Sequence, residues 1–155
     1  MRGVSILTIL AILTNGIVAG TFFGFSAFVM RGLARLPAAE GSAAMRSINV
    51  TAVGPAFMAA FMGGALFSLL LCILAFARRG EPGLGLAMAG GLLYLIGTFA
   101  VTVAFNVPLN DRLAQDATTW TTYLGQWMLW NHVRTAASAA SFAILAWSLA
   151  QQAQK

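Results

Sequence analysis

Residues 4–30 read VSILTILAILTNGIVAGTFFGFSAFVM, an uninterrupted run of 27 residues without a charge. A helix rises about 1.5 Å per residue, so roughly 20 such residues cross the ~30 Å hydrocarbon core of a bilayer. The opening MRGVSILTILAILTNGIVAG imitates a secretion signal, with a basic start, an apolar centre and small residues near Ala19 and Gly20. The apolar run does not stop there, however, and continues through TFFGFSAFVM, which predicts a retained first spanning helix.

Three further stretches follow the same rule: Ser47–Ala77, Gly83–Asn110, and Ala117–Gln154 with Arg134 as its one fixed charge. The whole 155-residue chain is 59% hydrophobic and only 8% charged, far below the charged fraction of about a quarter in soluble domains. These observations predict an all-α, integral membrane, up-down-up-down four-helix bundle in one domain of 155 residues, with spans near 4–30, 47–77, 83–107 and 118–151. The formal charge of +5 comes from nine basic residues scattered along the chain. No basic stripe results, so flanking of membrane segments is expected and nucleic-acid binding is not.

Each stretch is longer than a membrane needs. When about 20 residues are counted inward from Arg2, from Arg78–Arg79 and from Lys155, the surplus ends of all four helices fall on one face. That face collects Ser26 and Arg31 from the first helix, Arg46 and Asn49 from the second, Asn106 and Asn110 from the third, and Trp120 to Arg134 from the fourth. Lys and Arg nearly balance between the two faces. The termini are assigned to the cytoplasmic side of a cell membrane because the arginines opposite have a competing functional explanation.

Helical periodicity organises the polar residues further. At 100° per residue, Trp120, Tyr123, Trp127, Asn131, Arg134, Ser138 and Ser141 fall within an arc of about 80°. On the third helix Tyr94, Thr98, Thr102 and Asn106 recur every fourth residue. Two such stripes can enclose a pocket.

Arg134 either snorkels to the headgroups or serves as a fixed cation for an oxyanion, with Asp111, Asp116 and Glu40 as candidate partners. Trp120, Trp127 and Trp130 form either an interfacial aromatic belt or walls for a flat substrate. His132 is the single histidine, and histidine is the residue type suited to proton transfer near neutrality; the alternative is a bond between helices. Gly16, Gly20 and Gly24 on the first helix, and Ala56, Ala60 and Gly64 on the second, are expected to let backbones approach or to join copies of the chain. Gly54-Pro55 should kink helix two or begin its regular part. Pro108 should end helix three just after Asn106.

Absences narrow the chemistry. One histidine and one cysteine, Cys72, supply no haem pair, iron–sulfur set, zinc site or two-histidine iron site in a monomer. Spanning charges are missing from the first three helices, which disfavours a pump, and no internal repeat suggests a transporter.

The chain as a whole resembles the anthrone oxygenase-like family of small four-helix membrane proteins. The resemblance rests on the glycine-spaced first helix, AAMRSIN at 43–49, FNVPLN at 105–110, and Trp120, Tyr123 and Trp127 leading into WNHVRT at 130–135. It implies oxidation of a lipophilic polycyclic, anthrone-like aromatic by molecular oxygen, with no metal or flavin cofactor. In that scheme His132 is the base, and Arg134, Asn131 and Asn106 stabilise the anion. Trp120, Tyr123, Trp127, Trp130, Asn110, Asn49 and Arg31 form the substrate site. The alternative is a non-catalytic membrane module that binds a lipid or small amphiphile, or assists a membrane complex.

Overall fold

The computed structural model describes residues 2–153, with side chains from residue 3, so the expected flanking charges of the Arg2 and Lys155 side chains lie outside the described residues. Every element described is helical. Four helices are long and apolar enough to cross a membrane: α1 (Gly3–Leu33), α3 (Pro55–Ala77), α4 (Leu84–Ala114) and α5 (Trp120–Gln152). Between the first two of these lies the shorter α2 (Ala38–Ala52). In the ring of four, α1 packs on α3 and α5, and α4 packs on the same two helices.

Local chemistry sets the boundaries. Pro55 occupies the first turn of α3, where its missing N–H costs nothing. The expected second span, 47–77, is therefore corrected: Val53 and Gly54 interrupt it, and residues 47–52 belong to α2. The turn into α4 uses glycines with positive φ at Gly80 and Gly83. A Cβ on Gly83 would also stand 2.6 Å from the Ser148 carbonyl, so both conformation and space demand glycine there. At the start of α5 the Thr119 hydroxyl caps the backbone N–H of Thr122 at 3.3 Å.

These helices are apolar on every side, so hydrophobicity alone cannot choose which face turns inward. Polar and small residues choose it, because lipid accepts a leucine as readily as the core does and rejects an unpaired amide. On α1, Thr8, Asn15 and Ser26 are buried while Ile6, Leu13, Ile17 and Phe23 face outward. Asn15 donates to Ser141 Oγ at 2.9 Å, which in turn donates to the Gly90 carbonyl at 2.7 Å. Tyr94 donates to the Phe61 carbonyl at 2.9 Å. These bonds tie α1 to α5, α5 to α4, and α4 to α3.

Pro108 does not end the third spanning helix. Val107 has φ −61 and ψ −51, and the helix continues to Ala114, which corrects the expected stop after Asn106. The reason lies upstream. Leu93–Ala100 and Thr102–Asn106 are wound as wider π-turns, with the Val107 N–H bonded to the Thr102 carbonyl five residues back. Where such a turn passes back into α-helix one carbonyl has no in-helix N–H in any case, so a proline at that junction removes less than it would inside a regular α-helix. A third wide turn, Phe25–Val29 in α1, brings Ser26 into the core.

The expected glycine contacts are only partly realised. On α1, Gly20 is exposed with nothing within 4 Å of a Cβ, and Gly16 meets only the Phe142 side chain, at 3.1 Å. The reason is angular: a four-residue repeat drifts about 40° per step, away from the face held by Asn15 and Ser26. Close approach occurs instead at Gly64, which is wedged against Asn15 and Tyr94, and at Gly90, Gly91 and Gly97 on α4. A Cβ on Gly97 would lie 2.5 Å from the Ala137 Cβ. Gly97→Ala should therefore destabilise the bundle by about 1–3 kcal/mol. Gly20→Ala should be neutral or stabilising by up to about 1 kcal/mol. Thermal unfolding of both variants in one detergent checks the contrast, and equal shifts would contradict it.

Candidate functional site

The predicted stripe on α5 forms the wall of the site. Trp120, Tyr123, Trp127, Asn131, Arg134, Ser138 and Ser141 are all buried. Tyr94, Thr98 and Asn106 of the α4 stripe are buried too, and Thr102 is half-buried. Both stripes thus face the interior.

Arg134 is only 4% exposed. Its Nε donates to Asn131 Oδ1 at 3.0 Å, and its Nη1 donates to Thr102 Oγ1 at 3.4 Å. The guanidinium carbon lies 4.0 Å from the Phe22 ring centroid and 4.8 Å from that of Trp127. No carboxylate pairs with it among the described residues. The expected acidic partners are corrected: Asp116 pairs with Arg46 at 2.8 Å, while Glu40 and Asp111 are exposed. An arginine at the centre of a spanning helix costs about 3 kcal/mol on insertion scales. Two aromatic faces at about 0.5–2 kcal/mol each, with two hydrogen bonds to neutral partners, are of a size to offset that cost. The cation is therefore held in place with its charge unneutralised.

Asn131 fixes the direction of this cation. Its Nδ2 donates to the Phe22 carbonyl at 2.9 Å and to Ser26 Oγ at 2.8 Å, so its oxygen is left facing Arg134. Because the same amide grips α1 twice, the guanidinium position is set by two helices together. Asn106 lies in the adjoining layer: its Nδ2 donates to the Trp127 carbonyl at 3.4 Å, and its buried Oδ1 has no partner in the protein.

A second polar group forms above the Trp127 indole. Asn110 Oδ1 accepts from Tyr123 Oη at 2.9 Å and from Trp127 Nε1 at 3.0 Å. Asn49 Nδ2 reaches Tyr123 Oη from α2 at 3.5 Å. Two donors occupy the Asn110 oxygen, which leaves its amide nitrogen free to donate elsewhere.

Arg134, Trp127, Asn110 and Asn49 line one cavity of about 290 Å³, together with Thr21, Thr102 and an otherwise apolar wall that includes Phe22, Phe25, Phe57 and Phe61. This volume is near the lower end of small-molecule sites, about 300–1,000 Å³. Of the other expected site residues, Tyr123, Asn131 and Asn106 stand behind its wall and hold it. His132 does not line it: the residue is exposed, and its Nδ1 lies 2.9 Å from Ser26 Oγ. Trp130 stacks on Phe105 at 3.6 Å, also away from the cavity. Trp120 packs on Gly41, where a Cβ would come within 2.8 Å of the indole. Arg31 is exposed and away from the lining.

Sequence reasoning missed Phe22 as a face for the guanidinium and Ser26 as the hinge between Asn131 and His132. A phenylalanine among eleven in apolar helices carries no distinguishing signal. The inward turn of Ser26, by contrast, follows the rule that buries Thr8 and Asn15. Thr102 was visible as part of the α4 stripe, but its bond to Arg134 was not.

Four apolar spanning helices around a largely apolar cavity, into which one buried arginine projects, define an integral membrane protein of the helical-bundle class. A model of the anthrone oxygenase family matches residues 52–144, a segment that contains Asn106, Asn110, Trp127, Asn131 and Arg134. The chain belongs to that family. No curated protein and no solved structure matches it.

If Asn131 orients Arg134, Asn131→Leu should lower stability by about 1–3 kcal/mol by stranding a buried charged donor. The double change Asn131→Leu with Arg134→Leu should recover much of that loss. Unfolding midpoints of the two singles and the double form the check, and additive losses would refute the coupling.

Proposed function

We propose that the protein oxidises a lipophilic, flat polycyclic substrate of the anthrone type with molecular oxygen in the cavity beside Arg134. The observation that carries this reading is the guanidinium itself: buried, held by Asn131, Phe22 and Trp127, and without a counter-anion among the described residues. Such a group stabilises an oxyanion far better in an apolar cavity than it would in water. The family name supports the substrate class.

In this scheme the methylene carbon opposite the ring carbonyl loses one proton, and the electron pair left behind spreads onto the carbonyl oxygen, which faces Arg134. Oxygen adds at that carbon and is reduced by the anion to a hydroperoxide, taking up a proton. Loss of water then forms the second carbonyl. One oxygen atom enters the product, the other leaves as water, and the substrate supplies all the electrons. Trp127, Phe22 and Phe61 hold the rings, and Asn110 offers a donor to a second substrate oxygen.

The lining contains no carboxylate or imidazole, so we assign the first proton to water and give His132, exposed and outside the cavity, no part in the step. That same absence favours a second reading, in which the cavity binds a lipid or small amphiphile without turnover.

Oxygen uptake by purified protein with an anthrone panel separates the two. Arg134→Gln should reduce kcat about 10²- to 10³-fold, the usual effect of removing a donor to a developing oxyanion. His132→Ala should stay within about threefold of the unaltered protein, since its ring is outside the cavity. An equally large loss in His132→Ala would restore the histidine as base, and no uptake with any substrate would favour the binding module.

A further inference from the structure

The cavity wall has two parts of opposite character. Phe22, Met45, Phe61, Trp127 and Arg134 are nearly inaccessible, at 0–5% exposed. Val53, Met62, Val103 and Val107 line the same cavity but are 69, 48, 53 and 42% exposed. A residue that lines a cavity and is also open at the perimeter marks its mouth. These four come from the α2–α3 break, from α3 and from α4, so the mouth lies between α3 and α4.

The helices part there for reasons already visible. Lower down they are joined through Tyr94 on the Phe61 carbonyl and through Phe61 stacked on Phe99 at 5.4 Å. Above that level α3 ends upward at Pro55, and the wide turn Thr102–Asn106 packs against α5. The outer surface beside the mouth continues as Leu66, Leu69 and Ile73 on α3 and Leu92 and Ile96 on α4, all exposed. In a spanning bundle such a surface is covered by acyl chains.

We infer that the ligand reaches the cavity sideways, from the hydrocarbon, through a portal between α3 and α4 framed by Val53, Met62, Val103 and Val107. The ligand is then a neutral amphiphile already dissolved in the bilayer, which passes in with its oxygen leading toward Arg134. Side chains at positions 62 and 103 set the rate of passage, while Arg134 and Asn110 set the affinity. This rests on the ligand site proposed above and requires no turnover.

The test uses the full chain in phosphatidylcholine vesicles, with 9-anthracenemethanol delivered from donor vesicles and energy transfer from the protein's tryptophans as the signal. Met62→Phe with Val103→Phe should slow both binding and release about tenfold while changing Kd less than about threefold, because a narrowed gate affects both directions alike. Val50→Phe, on an exposed position outside the lining, should leave both rates unchanged. Arg134→Gln should weaken Kd with little effect on the binding rate. Binding with unaltered rates in the double variant overturns the portal alone. A Kd shift that matches the slowing also overturns it, since the two residues would then belong to the site. Absence of energy transfer in the unaltered protein overturns the site and the portal together.

Discussion

One guanidinium inside an apolar bundle constrains everything around it. Lipid cannot solvate Arg134, so the protein must, and it does so with parts of three long helices: Asn131 of α5 itself, Thr102 of α4, and the Phe22 ring of α1. Asn131 also binds the Phe22 carbonyl and Ser26. The group that orients the charge therefore also clamps α1 to α5. Stability and site geometry depend on the same few hydrogen bonds.

The rest of the bundle applies the same logic with weaker groups. Asn15, Ser141 and Tyr94 each bridge two helices through a short hydrogen bond in the interior. Between these bridges glycines let the backbones close, as at Gly64, Gly91 and Gly97. Since packing and polar pairing are the main sources of cohesion between helices in lipid, a layer of amide and hydroxyl contacts separated by close glycine contacts is a sufficient design. The cavity opens where that pattern stops, above Phe61 and Phe99, at the level where proline and wide turns displace the chain.

Much of this was legible in advance. The seven-residue stripe from Trp120 to Ser141 was read from spacing alone and is buried throughout, because a regular helix turns local spacing directly into a shared face. Counting residues against membrane thickness put Ser26, Asn49, Asn106 and Asn131 near one level. Of these Asn131 bonds Arg134 and Ser26 bonds Asn131, while Asn49 reaches Tyr123 and Asn106 the Trp127 carbonyl. The reading of His132 as base was not matched by geometry: one residue on from Asn131 the helix has turned by about 100°, and the imidazole meets Ser26 outside the cavity lining. The assignments that changed depended on irregular winding or on pair geometry: helix continuing through Pro108, the outward position of Gly20, and the salt bridge that takes Asp116 to Arg46.

By itself, then, the sequence determined that the chain is an all-helical membrane protein, and which side of α4 and α5 carries the polar work, because hydropathy and a 3.6-residue period are properties of single segments. Only the tertiary structure decided that Arg134 shares a cavity with Asn49, Asn110 and Trp127, and that Phe22 covers its charge while Trp130 and Arg31 stay outside. Those outcomes depend on the rotation and height of each helix relative to its neighbours, which no one segment encodes. They are settled when buried polar groups on different helices satisfy one another.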